Sequence, residues 1–160
     1  MKNNKGLKGF LLGFLYAFRG IGKVIKEERN MRVHIAAALN VLVFSPFLGV
    51  NRTEYAVLLI TSALVLSLES VNSAIENLCD RVTEKKDEYI KNTKDIAAGA
   101  VLISAIFSVI TGLVILLRPE KIALLFINIF TNPIYLISFI IFEILLVIFV
   151  VCFKRKKQNP

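Results

Sequence analysis

The stretch from Tyr55 to Asp80 reads YAVLLITSALVLSL followed by ESVNSAIENLCD, an uncharged apolar run that leads directly into a polar motif. On an α-helix, five polar side chains of this motif fall within about 100° of one another. They are Glu69, Asn72, Ser73, Glu76 and Asp80. Ionisable groups on a helix that otherwise belongs in lipid are costly and indicate a functional site. Ser and Asn alone would suit contacts between helices, but three acids repel unless a cation or proton offsets them.

The composition places this helix in a membrane protein. The chain has 160 residues, of which 56% are hydrophobic, and its mean hydropathy is +0.66. Several apolar runs are long enough to cross a bilayer, so the sequence predicts a small all-α integral membrane protein. The net charge of +8 is typical of cytoplasmic loops and contact with anionic lipid, and no basic soluble module suggests nucleic-acid binding. The two cysteines, Cys79 and Cys152, are too few for a disulfide framework or a zinc site, and we expect packing thiols.

The organisation on either side of the motif follows from hydropathy and helix breakers. Residues 1–32 are predicted to be a cytoplasmic tail and an amphipathic helix lying in the membrane interface. Residues 33–118 are predicted to be a three-span core, and residues 119–160 an extra C-terminal membrane segment with a basic tail. The predicted spans cover about 33–49, 55–79, 96–117 and, in the C-terminal segment, 134–153.

The C-terminal segment leaves alternatives open. Residues 122–130 are apolar but short, and we expect an interfacial or re-entrant piece, with one bent span from 121 to about 145 as the alternative. Glu143 is placed in the middle of the last span. The segment is either an extra helix packed outside the core, with Glu143 hydrogen-bonded or protonated, or an element with a role in lipid selection or partner binding.

The distribution of positive charge predicts the orientation. With both termini and the loop at 81–95 on the cytoplasmic side, 17 of the 20 lysines and arginines lie inside. The sequence therefore predicts a plasma-membrane protein whose N- and C-termini are both cytoplasmic. In this topology the motif at Glu69–Asp80 lies at the cytoplasmic end of the second span.

Three separate segments then meet in one layer. They are the polar patch at Glu28, the polar face of Glu69–Asp80, which we call the acidic stripe, and the Lys94–Asp95 pair. Converging carboxylates suit Mg²⁺, which binds a few protein oxygens together with phosphate oxygens. Nearby lysines and arginines suit the phosphates themselves. This combination predicts phosphoryl transfer, in which one carboxylate left without metal serves as the base.

The polar motif resembles the signature of the small prokaryotic diacylglycerol kinase family, which also contains the undecaprenol kinases. The resemblance runs from about Leu12 to Leu117. It includes Y-A-F-R-G at 16–20, E-R-N-M-R-V-H at 28–34 and K-D-I-A-A-G-A-V-L at 94–102. The form E-R-N-x-R-x-H is similar to the undecaprenol kinase branch.

The resemblance implies a homotrimer with an N-terminal surface helix, three spans per chain and active sites shared between neighbouring chains. It implies ATP as the donor, Mg²⁺ as the metal and a lipid hydroxyl as the acceptor. Glu69 corresponds to the catalytic base, which takes the proton of the lipid hydroxyl, and Asn72 orients the site. Glu28 and Glu76 correspond to the ligands of magnesium and ATP.

Further contacts follow from the same resemblance. Tyr16, Asp80, Lys94 and Asp95 lie where the family contacts nucleotide, and Arg19 and Lys23 lie along the entry helix for the lipid. Three further residues, Arg29, Asn30 and Arg32, are candidates for headgroup or phosphate contacts, the alternative being positive charge that only sets the topology. Residues 81–95 are either a charged loop or a helical extension. Within them, residues 85–89 (K-K-D-E-Y) depart from the family pattern, so the family's nucleotide contacts are not carried over from this loop, although its added lysines could still meet phosphates.

These observations predict an ATP-dependent lipid kinase of the bacterial plasma membrane, with undecaprenol as the preferred acceptor. Diacylglycerol is the alternative acceptor for the same chemistry. A small cation-coupled or proton-coupled carrier, which would use the acidic stripe to bind ions, is the alternative of another class.

Overall fold

A computed structural model describes residues 4–82 and 87–152 of the chain. This part of the chain is helical and contains no β-strand. Its six α-helices are α1 (Asn4–Glu27), α2 (Arg29–Phe44), α3 (Arg52–Val82), α4 (Glu88–Leu116), α5 (Pro119–Thr131) and α6 (Pro133–Val151), and a 3₁₀ turn at Ser45–Leu48 extends α2. By length and composition α2 with this turn, α3, α4 and α6 can each cross a membrane. The predicted all-α architecture, with an N-terminal helix, three spans and an extra fourth span, is confirmed.

The two remaining helices differ from the spans. The first, α1, is amphipathic and exposed along most of its length, as the predicted interfacial helix should be. The other, α5, has 13 residues and is therefore about 20 Å long, which is shorter than the hydrocarbon core of a bilayer. It corresponds to the predicted short piece at 122–130. Asn132 is extended and its side chain accepts a 2.9 Å hydrogen bond from Ile134 N, so α5 and α6 are separate helices and not one bent span.

Polar residues at the ends of the helices define where α3 and α4 begin. Asn51 and Glu54 form a reciprocal capping pair, in which Asn51 N donates to Glu54 Oε2 at 2.8 Å and Glu54 N donates to Asn51 Oδ1 at 3.0 Å. The side chain of Asp87 accepts hydrogen bonds from two backbone N–H groups of the first turn of α4. Such caps satisfy the N–H groups that have no partner within the helix.

The spans form a bundle whose centre is α3. This helix packs along α4 on one side and against α2 on another, and α6 packs against α2. The rings of Phe139 and Phe142 pack edge to face on Phe44 at 5.7 and 5.8 Å. At the other end of the pair, Arg32 contacts Val150, so α2 and α6 run antiparallel. Large apolar side chains are exposed along all the spans, as expected for surfaces that face lipid.

Arg118 joins three segments at the end of the bundle that lies away from Val150. Its Nη1 donates to the carbonyl oxygens of Leu48 and Gly49 at 3.3 and 2.6 Å, and its Nη2 donates to Glu54 Oε1 at 2.6 Å. Gly49 adopts a left-handed conformation with φ of 69°, which glycine tolerates without steric cost. These contacts fix the turn between α2 and α3 beside the end of α4.

Some predicted features lie outside the described residues. They are the basic tail after Cys152, the loop lysines Lys85 and Lys86, and the first three residues. The predicted domain boundaries at 32 and 118 stay predictions, although α2 begins at Arg29 and the segment after Arg118 forms the α5–α6 hairpin. Glu143 lies half-buried in α6.

Candidate active site

The acidic stripe of α3 faces the inside of the bundle. Glu69 is 2% exposed and Asn72 is 6% exposed, and Ser73 is also buried. Their spacing of three and four residues puts them on the same face as the buried apolar residues Leu58 and Val65. The helix therefore continues its buried face from an apolar half into a polar half, as its sequence predicts.

A cavity of about 670 Å³ opens in front of this polar half, and we call it the acidic cavity. Residues from α3, from the α1–α2 junction and from the end of α6 line it. They are Glu27, Glu28, Arg29, Asn30, Arg32, Glu69, Asn72, Glu76, Val150 and Val151. The structure thus brings together seven residues that were predicted at the site: Glu28, Arg29, Asn30, Arg32, Glu69, Asn72 and Glu76.

Glu28 reaches the cavity because it is not part of a helix. It separates α1 from α2 with an extended backbone, φ −101° and ψ 119°. This break turns its side chain toward α3, and both Glu28 and Glu76 come close enough to Glu69 for electrostatic repulsion. Three carboxylates from two segments therefore converge, which favours the binding of a cation between them.

Asn72 links the carboxylates along α3. Its Nδ2 donates a hydrogen bond of 3.0 Å to Glu76 Oε1, one helical turn away. Its Oδ1 is buried and has no hydrogen-bond partner within residues 4–82 and 87–152. A buried acceptor without a partner is uncommon in folded proteins and points to a ligand, an ion or a water molecule. Asn72 is therefore oriented by Glu76 and offers a free oxygen beside it.

Arg32 is 3% exposed and ties helix ends together at the rim of the cavity. Its Nη1 donates to the carbonyl oxygens of Ile25 and Lys26, at 2.9 and 3.1 Å, in the last turn of α1. Its Nε donates to the carbonyl oxygen of Val150 at 3.3 Å. The carbonyls of a last helical turn have no partner within their own helix, so a guanidinium group stabilises them.

Asp80 and Lys94 form an ion pair that joins α3 to α4 just beyond the cavity. The pair was predicted as two separate nucleotide contacts, and the structure places the two side chains together. Lys94 also lies within electrostatic range of Glu76. The ammonium group of Lys94 therefore lies near the acidic stripe, although neither residue of the pair lines the cavity.

Besides Asp80 and Lys94, four predicted residues do not line the acidic cavity of this chain, namely Tyr16, Arg19, Lys23 and Asp95. All four side chains are exposed. Lys23 lies 3.8 Å from a carboxylate oxygen of Glu27 and contributes to a smaller cavity of about 360 Å³ on another face of α3. Their predicted roles stay predictions.

The cavity suits magnesium bound together with phosphate. Within the described ranges no group of three His, Cys, Asp or Glu side chains is arranged to hold a metal ion by itself. Mg²⁺, however, is usually held by one or two carboxylates plus substrate phosphates and water. Glu28, Glu76 and the unpartnered Asn72 Oδ1 supply oxygen ligands of the required kind.

Three residues at the cavity were not predicted: Glu27, Val150 and Val151. Glu27 adjoins the family-like motif at 28–34, so its position was accessible from the sequence. The two valines belong to an ordinary apolar span. Charge counting indicated that this span ends on the same side of the membrane, but no pattern indicated that it ends at the site.

Comparisons with known proteins agree with this geometry. A sequence model of the family described as prokaryotic diacylglycerol kinase matches residues 15–116. The undecaprenol kinase of Bacillus subtilis is 38% identical over 111 residues, which cover 69% of this chain and 90% of that protein. The diacylglycerol kinases of Synechocystis sp. and Escherichia coli are 39% and 30% identical, over 68% and 71% of this chain and 63% and 93% of theirs.

The matched residues contain α2, α3 and α4 whole, together with most of α1 from Leu15, so they include every cavity-lining residue except the two on α6. The predicted family resemblance is confirmed, and with it the assignment as a phosphotransferase. The chain belongs to the prokaryotic diacylglycerol kinase family and is a membrane lipid kinase.

Proposed function

We propose that this kinase transfers the γ-phosphate of ATP to the hydroxyl group of undecaprenol, with Mg²⁺ in the acidic cavity. The observation that carries the proposal is that Glu28, Glu69 and Glu76 line one cavity together with Asn72, whose buried Oδ1 has no partner among the described residues. Such a site can hold a cation and still leave one carboxylate for proton transfer. The family membership makes ATP the donor and a lipid alcohol the acceptor.

Glu69 is the proposed base. It is the most deeply buried of the four acids that line the cavity, on a membrane helix whose apolar half adjoins it. A lipid hydroxyl that enters from the bilayer would meet Glu69 and lose its proton to that carboxylate. The hydroxyl oxygen then bonds to the γ-phosphorus, while the bond from that phosphorus to the bridging oxygen breaks and ADP leaves with the electron pair.

Glu28 and Glu76 are the proposed ligands of the metal, and Asn72 keeps Glu76 oriented. A bound magnesium ion would neutralise the negative charge on the phosphate oxygens. Because Glu28 comes from the α1–α2 junction and Glu76 from α3, the site depends on both segments keeping their relative position. Asp80, Lys94, Asp95 and Tyr16 are proposed contacts of the nucleotide.

The proposed acceptor is undecaprenol, and diacylglycerol is the second candidate. The Bacillus subtilis relative is named an undecaprenol kinase, whereas those of Synechocystis sp. and Escherichia coli are named diacylglycerol kinases. The identities of 38% and 39% do not separate the two names. The E-R-N-x-R-x-H motif at 28–34 favours undecaprenol. Arg19, Lys23, Asn30 and Arg32 are proposed to contact the lipid.

A homotrimer with shared sites is proposed as the active form. Tyr16, Arg19 and Asp95 are exposed and do not line the acidic cavity of their own chain. A neighbouring chain could bring the matching residues to this cavity. The apolar surfaces exposed on α3 and α4 leave room for helix contacts between chains.

The four apolar helices and the bacterial relatives indicate a plasma-membrane protein. We propose that both termini are cytoplasmic, because this orientation puts most of the lysines and arginines inside. The acidic cavity then opens toward cytosolic ATP. The cation-carrier alternative has no support from the comparisons.

The test is a kinase assay on the purified full-length chain in mixed micelles. Undecaprenol or diacylglycerol is supplied with Mg²⁺ and γ-labelled ATP, and labelled lipid is extracted. We expect labelled undecaprenyl phosphate, formed at least about a hundredfold more slowly by the Glu69→Gln variant. Absence of label from both acceptors in the unmodified protein would refute the proposed function.

A further inference from the structure

The end of α6 forms one side of the acidic cavity. Val150 and Val151 line it together with the acids of α3 and of the α1–α2 junction. These two valines lie beyond residue 116, where the match to the family ends. The cavity of this chain therefore has a side that the shared family region does not supply.

The position of α6 is fixed at this point. Arg32 bonds to the Val150 carbonyl and to two carbonyls at the end of α1. A single buried guanidinium thus holds the ends of α1 and α6 to the first turn of α2. At the far end of the α2–α6 pair, the Phe44 ring packs on Phe139 and Phe142. Contacts at both ends keep Val150 and Val151 at the cavity.

The two sides of the cavity differ in chemistry. Carboxylates and an amide occupy the side formed by α3 and Glu28. The side formed by α6 has two branched apolar residues and a main-chain carbonyl already bound by Arg32. A bound acceptor must put its hydroxyl on the acidic side. The side formed by the valines is then available to the carbons next to that hydroxyl, because both sides line the same cavity.

From this asymmetry we infer that Val150 and Val151 select the acceptor by contacting the carbons next to its hydroxyl, and that they favour an isoprenoid alcohol over diacylglycerol. The inference rests on the proposed function, since it assumes that a lipid hydroxyl reaches Glu69. It extends that function by assigning acceptor selectivity to a helix outside the family match.

The chemistry of the two acceptors supports this assignment. In an isoprenoid alcohol, the atoms that follow the hydroxyl-bearing carbon are all hydrocarbon. In diacylglycerol, ester groups occupy the two carbons nearest the hydroxyl-bearing one. When ester oxygens lie against valine side chains, they lose hydrogen bonds to water and gain none from the protein. This loss is unfavourable for binding. An apolar side next to the base therefore discriminates against the diester.

The experiment replaces each valine with threonine, which has nearly the same shape and adds a hydroxyl. Full-length Val150→Thr and Val151→Thr are compared with Val147→Thr, whose residue is on the same helix, is exposed and does not line the cavity. The substrates are undecaprenol and dioleoylglycerol in mixed micelles, and kcat/KM is measured for each. We expect the preference for undecaprenol to fall about tenfold in the two cavity variants and to stay unchanged in the control.

A second variant distinguishes a loss of selectivity from a general effect of substitution on folding. Val151→Leu keeps the side apolar, so it should retain the preference for undecaprenol even if its turnover is reduced. Equal preference in Val150→Thr, Val151→Thr and Val147→Thr would overturn the inference, and so would a wild-type preference for dioleoylglycerol. If the wild-type chain phosphorylates neither lipid, the proposed function itself fails, and this result is distinct from an unchanged preference.

Discussion

Asn72 donates its amide hydrogen to Glu76 Oε1 across one turn of α3, while its own carbonyl oxygen stays buried without a partner among the described residues. One side chain therefore orients a carboxylate and offers an oxygen acceptor at the same place. A group that only stabilised the fold would have both of its polar atoms satisfied. The arrangement is that of a site prepared for a cation or for a donor on the substrate.

Replacing Asn72 with aspartate tests this arrangement. The substitution removes the hydrogen bond to Glu76 and adds a like charge beside it, so we expect turnover to fall by about tenfold or more. The requirement for Mg²⁺ should change as well, and a titration of activity against Mg²⁺ measures it. Asn77→Asp is the matched control, because Asn77 lies on the same helix and bonds to the backbone oxygen of Ser73. Equal effects of the two variants would assign Asn72 to folding alone.

Substitutions of Glu69 and Glu76, the two acids of α3 that line the acidic cavity, should have different kinetic effects. Glu69→Gln removes the proposed base, and we expect kcat to fall by about a hundredfold or more with little change in the KM for ATP. Glu76→Gln removes a proposed metal ligand and should raise the Mg²⁺ concentration that gives half-maximal activity. The measurements are kcat and KM at saturating Mg²⁺, followed by a Mg²⁺ titration. Wild-type turnover in Glu69→Gln would show that the base is another group.

The Asp80–Lys94 ion pair allows stability to be distinguished from nucleotide binding. An exposed ion pair contributes only about 0.2–1 kcal/mol, so Lys94→Gln should barely change the thermal unfolding of the protein in detergent. If Lys94 contacts phosphate, the same variant should raise the KM for ATP several-fold. Asp80→Asn leaves the lysine without its partner and is the companion variant. A large loss of thermal stability with an unchanged KM would contradict the proposed role.

Arg118 should matter for stability and not for chemistry. Its three hydrogen bonds join Leu48, Gly49 and Glu54 at the end of the bundle far from the acidic cavity. Loss of a hydrogen bond to a charged group costs about 1.5–3 kcal/mol, so Arg118→Ala should lower the unfolding temperature clearly. Arg52→Ala, at an exposed position in the same region, is the control. A change in KM for either substrate without a change in unfolding temperature would show that Arg118 acts on the site.

The sequence contained most of the information on the fold because hydropathy and helix breakers are local signals. The four spans, the interfacial helix and the break before Pro133 all follow from residue type and run length. The observed helix boundaries differ from the predicted ones where a capping residue determines the start of the helix. The third span was predicted from 96, with residues 81–95 as either a charged loop or a helical extension. The extension is observed from Glu88, where α4 begins, because Asp87 caps the helix well before the apolar run starts.

The site was predictable only in part. The stripe at Glu69–Glu76 follows from helical periodicity, and Glu28 could be assigned to the same layer from topology. The lateral position of a residue could not be predicted, because hydropathy indicates its depth in the bilayer but not which helices lie next to it in the bundle. For this reason Val150 was not predicted beside Glu69, and Lys94 was not predicted to pair with Asp80. Arg32 was predicted as a lipid contact, and its hydrogen bonds to main-chain oxygens of two other helices were not predicted.

The α5–α6 hairpin decides whether the chain crosses the bilayer an odd or an even number of times. A chain that stopped after α4 would end on the face opposite the acidic cavity, because it would have crossed the bilayer an odd number of times. Since α5 is too short to cross and α6 crosses once, the count becomes even, and Val151 is on the same face as Glu28. The last described helix therefore ends on the face at which the proposed site would take its nucleotide. A reporter domain fused after the final residue and one fused after Arg118 should accordingly report opposite compartments.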